Sequence, residues 1–272
     1  MNNLAARLIT ALIGVGILLA AILYDQITFL IVFLLISLFS IYEFYQIGKN
    51  SGKRPFVVWG MLVTAVLFCL TYLLKVGNEV YTNALLGALI ALIPSLFILA
   101  VFRKNKEDIV NCMSYSALGV FYIAIPLSLL NFIAFNQGEY RFDLIIALLF
   151  SLWANDTGAY FAGKALGKHK LYESISPNKT IEGTVGGLVL SLLIAVGLSF
   201  LGFDLTIAQL LGLAAIVSIF GSIGDLAESL LKRNLAIKDS GSILPGHGGF
   251  LDRFDGLFLA LPFATLYIHL VI

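Results

Sequence analysis

"TVGGLVLSLLIAVGLSFLGFDLTIAQLLGLAAIVSIFGSIGDLAESLLKR", residues 184–233, decides the fold. Two apolar runs, about 184–203 and 206–231, are continuous rather than alternating. Each matches the roughly 20 helical residues that cross a bilayer core of about 30 Å. A membrane barrel would show alternating segments of about ten residues instead. The second run closes on "GDLAESLLKR", where acid and base enter together.

Seven further runs pass the same test: 8–24, 27–47, 56–75, 80–102, 109–135, 142–163 and 254–272. The expected fold class is therefore all-α, a polytopic membrane protein with about nine transmembrane helices. Composition agrees. Of 272 residues 60% are hydrophobic and 12% charged, with a mean hydropathy of +0.97, against about 25% charged in soluble domains. The first run is read as a span rather than a cleaved leader, because no small-x-small site follows and the next run begins almost at once. With 17 basic and 16 acidic residues the chain gives no hint of nucleic-acid binding. Cys69 and Cys112 lie inside apolar runs and read as small hydrophobes.

Nine crossings place Arg7, the loops around 49–54, 103–106 and 164–179, and the segment 232–253 on one side. Of the 17 Lys and Arg residues, only Lys75 and Arg141 fall opposite. The positive-inside rule makes the crowded side, with the N-terminus, cytoplasmic. A multi-pass protein of the inner (plasma) membrane, with its working loops facing the cytoplasm, is expected.

Residues 1–135 carry almost no charge within their spans and read as a scaffold; residues 136–272 read as the catalytic region. Two longer polar loops belong to that second part, "KALGKHKLYESISPNKTIEG" at 164–183 and "KRNLAIKDSGSILPGHGGFLDR" at 232–253. Long loops in compact proteins are commonly functional, and their glycines let backbone approach a ligand.

Ionisable groups inside spans are costly and mark function by default. Asp156 lies within the sixth run, and Asp225 and Glu228 near the end of the eighth. Ser218, Ser222, Asp225, Ser229 and Lys232 recur at spacings of 4, 3, 4 and 3, one polar stripe on a helix. The serines read as small groups packed against neighbouring helices; Asp225 needs a cation, a proton or a donor. Asp252 and Asp255 share a face if the last helix has begun by then, and either one can serve as an N-terminal cap. Three hard oxygen donors without Cys or His partners suggest Mg²⁺ rather than zinc. Lys179, just before the seventh run, stands where Gly183 and Thr184 can offer backbone N–H groups to an anion. "GAYFAGK" at 158–164 imitates a P-loop, but Ala165 stands where Ser or Thr is required, and no strand precedes it. Gly163/Gly167 and Gly183/Gly187 read as helix-packing pairs.

The run "SLLKRNLAIKDSGSILPGHGGFLDRFD", residues 229–255, resembles the signature of the phosphatidate cytidylyltransferases, or CDP-diacylglycerol synthases. Ser229, Lys232, Arg233, Lys238, Asp239, His247, Gly248, Gly249, Asp252, Arg253 and Asp255 fall in register with it. "NDTGAYFAGK" at 155–164 and "SPNKTIEG" at 176–183 resemble further blocks of that family. The resemblance implies the reaction of CTP with phosphatidic acid, a membrane lipid, to give CDP-diacylglycerol and pyrophosphate. It also implies dependence on Mg²⁺ and a homodimer. Asp225 and Asp252 are then expected as metal ligands, with Asp255 less clearly so. Lys179 and Arg253 would offset phosphate charge, and His247, Gly248 and Gly249 would bring loop backbone to a phosphate. Lys164, Ser176, Asn178, Glu182 and Lys232 join the substrate-binding candidates. Asp156 would orient Lys164 or Lys179, or complete a second cation site. Two rivals stay open at this point: a CTP-dependent lipid kinase, and a secondary transporter with Asp156 and Asp225 on a cation path.

Overall fold

The computed structural model describes residues 3–104, 106–235, 237, 241 and 249–272, with side chains from Leu12 onward. The protein is an all-α polytopic membrane protein. Eight helices among the described residues are long and apolar enough to cross a membrane. The ninth expected crossing is α1 (Asn3–Tyr24), a helix of 22 residues in which Leu12–Tyr24 counts as a shorter apolar segment. The chain divides into two compact units, Met1–Tyr140 with Leu235–Arg253, and Arg141–Asn234 with Phe254–Ile272.

In the first unit α2 (Gln26–Asn50) starts at an Asp25 cap and buries Phe29, Phe33, Ser37, Ser40, Glu43, Phe44 and Tyr45. It packs against α3 (Val57–Val76) and α5 (Ile109–Gly119) through rings set on glycines. A Cβ on Gly60 or Gly119 would meet the Tyr45 ring, and one on Gly48 the Tyr115 ring. Tyr45 donates to Ser116 O at 2.7 Å, and Tyr115 stacks on Phe44 at 4.6 Å. Buried hydroxyls need such partners because lipid and core offer none. Trp59 Nε1 donates to Leu92 O of α4 (Glu79–Val101) at 2.8 Å.

The fifth expected span is interrupted. α5 passes through a π-helical turn, Val120–Ala124, into the short α6 (Ile125–Ser128) and α7 (Leu130–Ala134). Pro126 lacks an N–H, so the regular ladder cannot continue through it. Asn131 Nδ2 ties α7 to α3, donating to Phe68 O and Thr71 Oγ1, both at 2.9 Å. A tight hairpin follows, β1 (Phe135–Asn136) and β2 (Glu139–Tyr140).

In the second unit α8 (Phe142–Leu166) is the central element. At its start Arg141 grips Asp143 through two bonds of 2.9 and 2.7 Å and reaches Asp204 O at 3.1 Å. Asp143 is buried, so Arg141→Ala would strand a desolvated carboxylate. A loss of roughly 3 kcal/mol is expected, at the low end for a broken buried pair, read as a lower thermal midpoint of the solubilised protein.

α8 crosses α9 (Ile181–Leu198) with backbone on backbone. A Cβ on Gly158 would lie 2.6 Å from Gly186 O and 3.0 Å from Gly187 Cα; one on Gly183 would lie 2.9 Å from Ala159 O. Gly183 and Gly187 are thus packing glycines, as their spacing suggests. Between the two helices the expected loop holds a hairpin, β3 (Lys170–Tyr172) antiparallel to β4 (Ser176–Thr180). A short 3₁₀ turn leads from α9 toward α10 (Ile207–Asn234), and α11 (Leu251–Val271) ends the chain. α10 meets α11 at two more glycines: a Cβ on Gly224 would lie 2.7 Å from Asp255 O and 3.0 Å from Gly256 Cα.

Candidate active site

The polar stripe of α10 faces α8. Ser218 donates to Asn155 Oδ1 at 2.5 Å, and Asn155 Nδ2 donates to Ser222 Oγ at 3.2 Å. Asn155 is 2% exposed and Ser218 is 1% exposed, so both are held by this exchange rather than by water. The serines therefore do the packing work expected of them. Asn155 was not among the expected site residues; its signal is its place beside Asp156 in "NDTG".

One turn beyond Ser222, Asp225 meets Lys179. Nζ lies 2.5 Å from Asp225 Oδ2 and 3.4 Å from Ser222 O. Lys179 comes from β4, one residue before Thr180 caps α9 by accepting the Gly183 N–H at 3.1 Å. The cap takes up the Gly183 donor that the sequence offered to an anion. Thr184 Oγ1 turns back to Thr180 O at 3.2 Å. The hairpin is tied down twice more. Arg233 Nε donates to Ile175 O at 3.4 Å. Glu182 accepts the Lys168 and His169 N–H groups at 3.1 and 3.2 Å, with His169 Nδ1 at 2.6 Å. Glu182 thus holds the turn that follows α8.

These elements enclose a cavity of about 560 Å³. Asp156, Lys164, Asn178, Lys179 and Asp225 line it, together with Asn155, Tyr160, Gly163, Thr180, Thr184 and Ser222. Glu182, Ser176 and Lys232 are not in that lining. Ser176 opens β4 opposite Tyr172, and Lys232 pairs with buried Glu228 at 2.7 Å. Lys164 lies over the Tyr160 ring at 6.0 Å. Asp255, brought to α10 by the Gly224–Gly256 contact, lies within electrostatic reach of Asp225, Glu228 and Asp156. The result is a cavity whose lining mixes carboxylates and ammonium groups, with Lys179 and Asp225 in direct contact, suited to a polyanion that arrives with a cation.

The remaining candidates belong to the start of α11. The helix has begun by Leu251, so Asp252 and Asp255 stand one turn apart, as their spacing requires. Asp252 Oδ2 reaches back to the Gly249 N–H at 3.0 Å, the capping contact of this end; Asp255 Oδ1 accepts the Gly256 N–H at 2.8 Å. Arg253 is exposed, and its N–H donates to Phe250 O at 3.1 Å. His247, Gly248, Lys238 and Asp239 lie outside the described residues. Glu43 of α2, buried at 2% exposure, accepts the Leu251 N–H at 2.8 Å. It was hidden in the sequence by the apolar run around it.

Residues 5–271 match the model of the cytidylyltransferase family. The chain belongs to this family. Its relatives include a phosphatidate cytidylyltransferase of Staphylococcus haemolyticus (strain JCSC1435), 36% identical over 261 residues that make up 96% of this chain and 97% of the relative. Those of Staphylococcus aureus (strain COL) and Staphylococcus saprophyticus are 35% and 33% identical, again over 96% of this chain and 97% of the relative. The match to the cytidylyltransferase family takes in both units, so the N-terminal helices belong to the shared architecture as fully as the cavity does.

Proposed function

We propose that this chain transfers the cytidylyl group of CTP to phosphatidic acid at the cytoplasmic face of the plasma membrane. The observation that carries the proposal is the Lys179–Asp225 pair in a charged cavity built on helices long enough to span the bilayer. A nucleotide comes from water and a lipid phosphate from the membrane, so their common site belongs at the boundary. The homodimer implied by the family resemblance is part of the same reading.

An oxygen of the phosphatidate phosphate attacks the α-phosphorus of CTP. The new P–O bond forms as the bond from the α-phosphorus to the bridging oxygen breaks, and pyrophosphate leaves with that electron pair. The attacking phosphate is already anionic near neutral pH, so no general base is needed. Such transfers are driven by alignment and charge neutralisation. Lys179 supplies a cation whose position is set by Asp225 and the Ser222 carbonyl. Lys164 and Asn178 give further contacts to the phosphates.

Among the described residues no three His, Cys, Asp or Glu side chains stand together as a preformed metal cage. The three carboxylates expected as ligands, Asp225, Asp252 and Asp255, thus form no ready-made group; Mg²⁺ commonly takes one or two carboxylates plus substrate phosphates. Asp225 and Asp255 would hold it, and Asp252, three residues before Asp255 on the same helix, is the further carboxylate of the signature. When bound, the ion would neutralise charge developing on the leaving pyrophosphate. Purified protein in detergent is expected to convert phosphatidic acid and CTP to CDP-diacylglycerol and pyrophosphate with Mg²⁺, and to lose turnover with a chelator. Release of CDP in place of pyrophosphate would make the protein a lipid kinase; nucleotide-free ion flux in proteoliposomes would make it a transporter.

A further inference from the structure

Glu43 is a carboxylate inside a membrane-spanning helix of the part that reads as scaffold, and such groups are costly to bury. Its surroundings within the first unit explain how it is kept. Oε2 accepts the N–H of Leu251, the first residue of α11, at 2.8 Å. A Cβ added to Gly249 would run into both carboxylate oxygens, and one added to Gly241 into Oε1. One turn earlier on α2, Phe39 stacks on Phe250 with centroids 5.2 Å apart and planes 15° apart. Phe39 and Glu43 are four residues apart, on one face of α2. That face therefore grips Gly241 and residues 249–251 through a ring contact, a hydrogen bond and two glycines that admit the carboxylate.

Resting on the proposed cytidylyl transfer, we infer that Glu43 is a positioning residue for that reaction: it fixes where α11 begins and so directs the carboxylate of Asp252. The contact is with a free N–H at a helix N-terminus, where an acceptor is needed and negative charge is favoured. Asp252 Oδ2 takes the neighbouring Gly249 N–H at 3.0 Å. Without Glu43 the Leu251 donor would compete with the Gly249 N–H for the Asp252 carboxylate and draw it further back over the helix end. Gly249 and Gly241 have a steric reason to be glycine, since any side chain would expel the carboxylate.

The test compares Glu43→Ala, Glu43→Gln and Gly249→Ala in the full-length protein in detergent. Two independent readings are taken: amide hydrogen exchange of residues 249–258, and steady-state transfer from CTP. Glu43→Ala is expected to speed exchange in the first turn of α11 at least about tenfold, the signature of a local opening. Its kcat is expected to fall at least about tenfold with KM for CTP within about threefold, as for an interaction that acts through alignment. Glu43→Gln keeps an acceptor oxygen for Leu251 and is expected to restore both readings to within about threefold. Gly249→Ala is expected to reproduce the Glu43→Ala exchange pattern, and it answers the question from the loop side if Glu43→Ala does not accumulate. Unchanged exchange at 249–258 in Glu43→Ala, or equal failure of Glu43→Gln with exchange raised throughout α2, α3 and α5, overturns the inference. If the wild-type protein makes no CDP-diacylglycerol, the functional reading fails, while the exchange data still decide whether Glu43 seats α11.

Discussion

Asp225→Asn is expected to lower cytidylyl transfer at least about a hundredfold, the scale for loss of a major electrostatic group in an active site. The substitution keeps the shape of the side chain and its place on α10. It removes the charge that holds Lys179 Nζ at 2.5 Å and would hold a metal. Lys179→Met is expected to fall in the same range. The double variant should be no worse than either single one, because groups acting as a unit are not additive. Rates of CDP-diacylglycerol formation by the three purified proteins check this, with monodispersity as the control for folding. Turnover of Asp225→Asn within about threefold of wild type would remove Asp225 from the site.

Gly158→Leu should be among the most damaging single changes in the second unit. Even a bare Cβ at 158 would lie 2.6 Å from Gly186 O and 2.8 Å from Leu190 Cβ. Backbone cannot step aside as a flexible side chain can. Overpacking of this kind costs about 1–3 kcal/mol where side chains yield, and more is expected here. The thermal midpoint in detergent should drop by at least roughly 6–12 °C, taking about 2–4 °C per kcal/mol for a chain of this size. Transfer should be lost as well, since Asn155 is carried on the displaced helix. Gly197 gives the contrast. It is a glycine of α9 with nothing within 4 Å of its would-be Cβ, so Gly197→Ala should leave activity unchanged and the midpoint equal or slightly higher.

The helical membrane architecture was legible because apolar runs longer than any strand leave no alternative. The boundaries of α4, α8, α10 and α11 fall within a few residues of the expected runs. Asp225 and Lys179, which the structure pairs, each carried a mark in the sequence: one is a charge out of place in a span, the other a cation at a helix start. The break at Val120–Ala124 was not, because a π-turn leaves no compositional mark and Pro126 alone does not fix its position. The β3–β4 hairpin was hidden in a segment whose Gly, Pro, Ser and Lys content suggested only a loop. Glu43 and Asn155 were missed for one shared reason. Each has its partner far away in sequence, 208 residues off at Leu251 and 63 off at Ser218. Spacing along a single helix cannot reveal a bond made across the bundle.

The Lys179 strand has one more consequence, for binding. Lysine ordinarily gives up considerable rotamer freedom when it grips a phosphate. Here the strand is paired to β3, Arg233 is bonded to its connecting turn, α9 starts at the very next residue, and the ammonium already rests on Asp225 and a carbonyl. Most of that freedom is surrendered when the chain folds. An arriving triphosphate meets a preorganised cation, and this lowers the entropic penalty of association. Loosening the hairpin, as by Arg233→Ala, should therefore weaken nucleotide affinity without touching any atom of the nucleotide's own contacts.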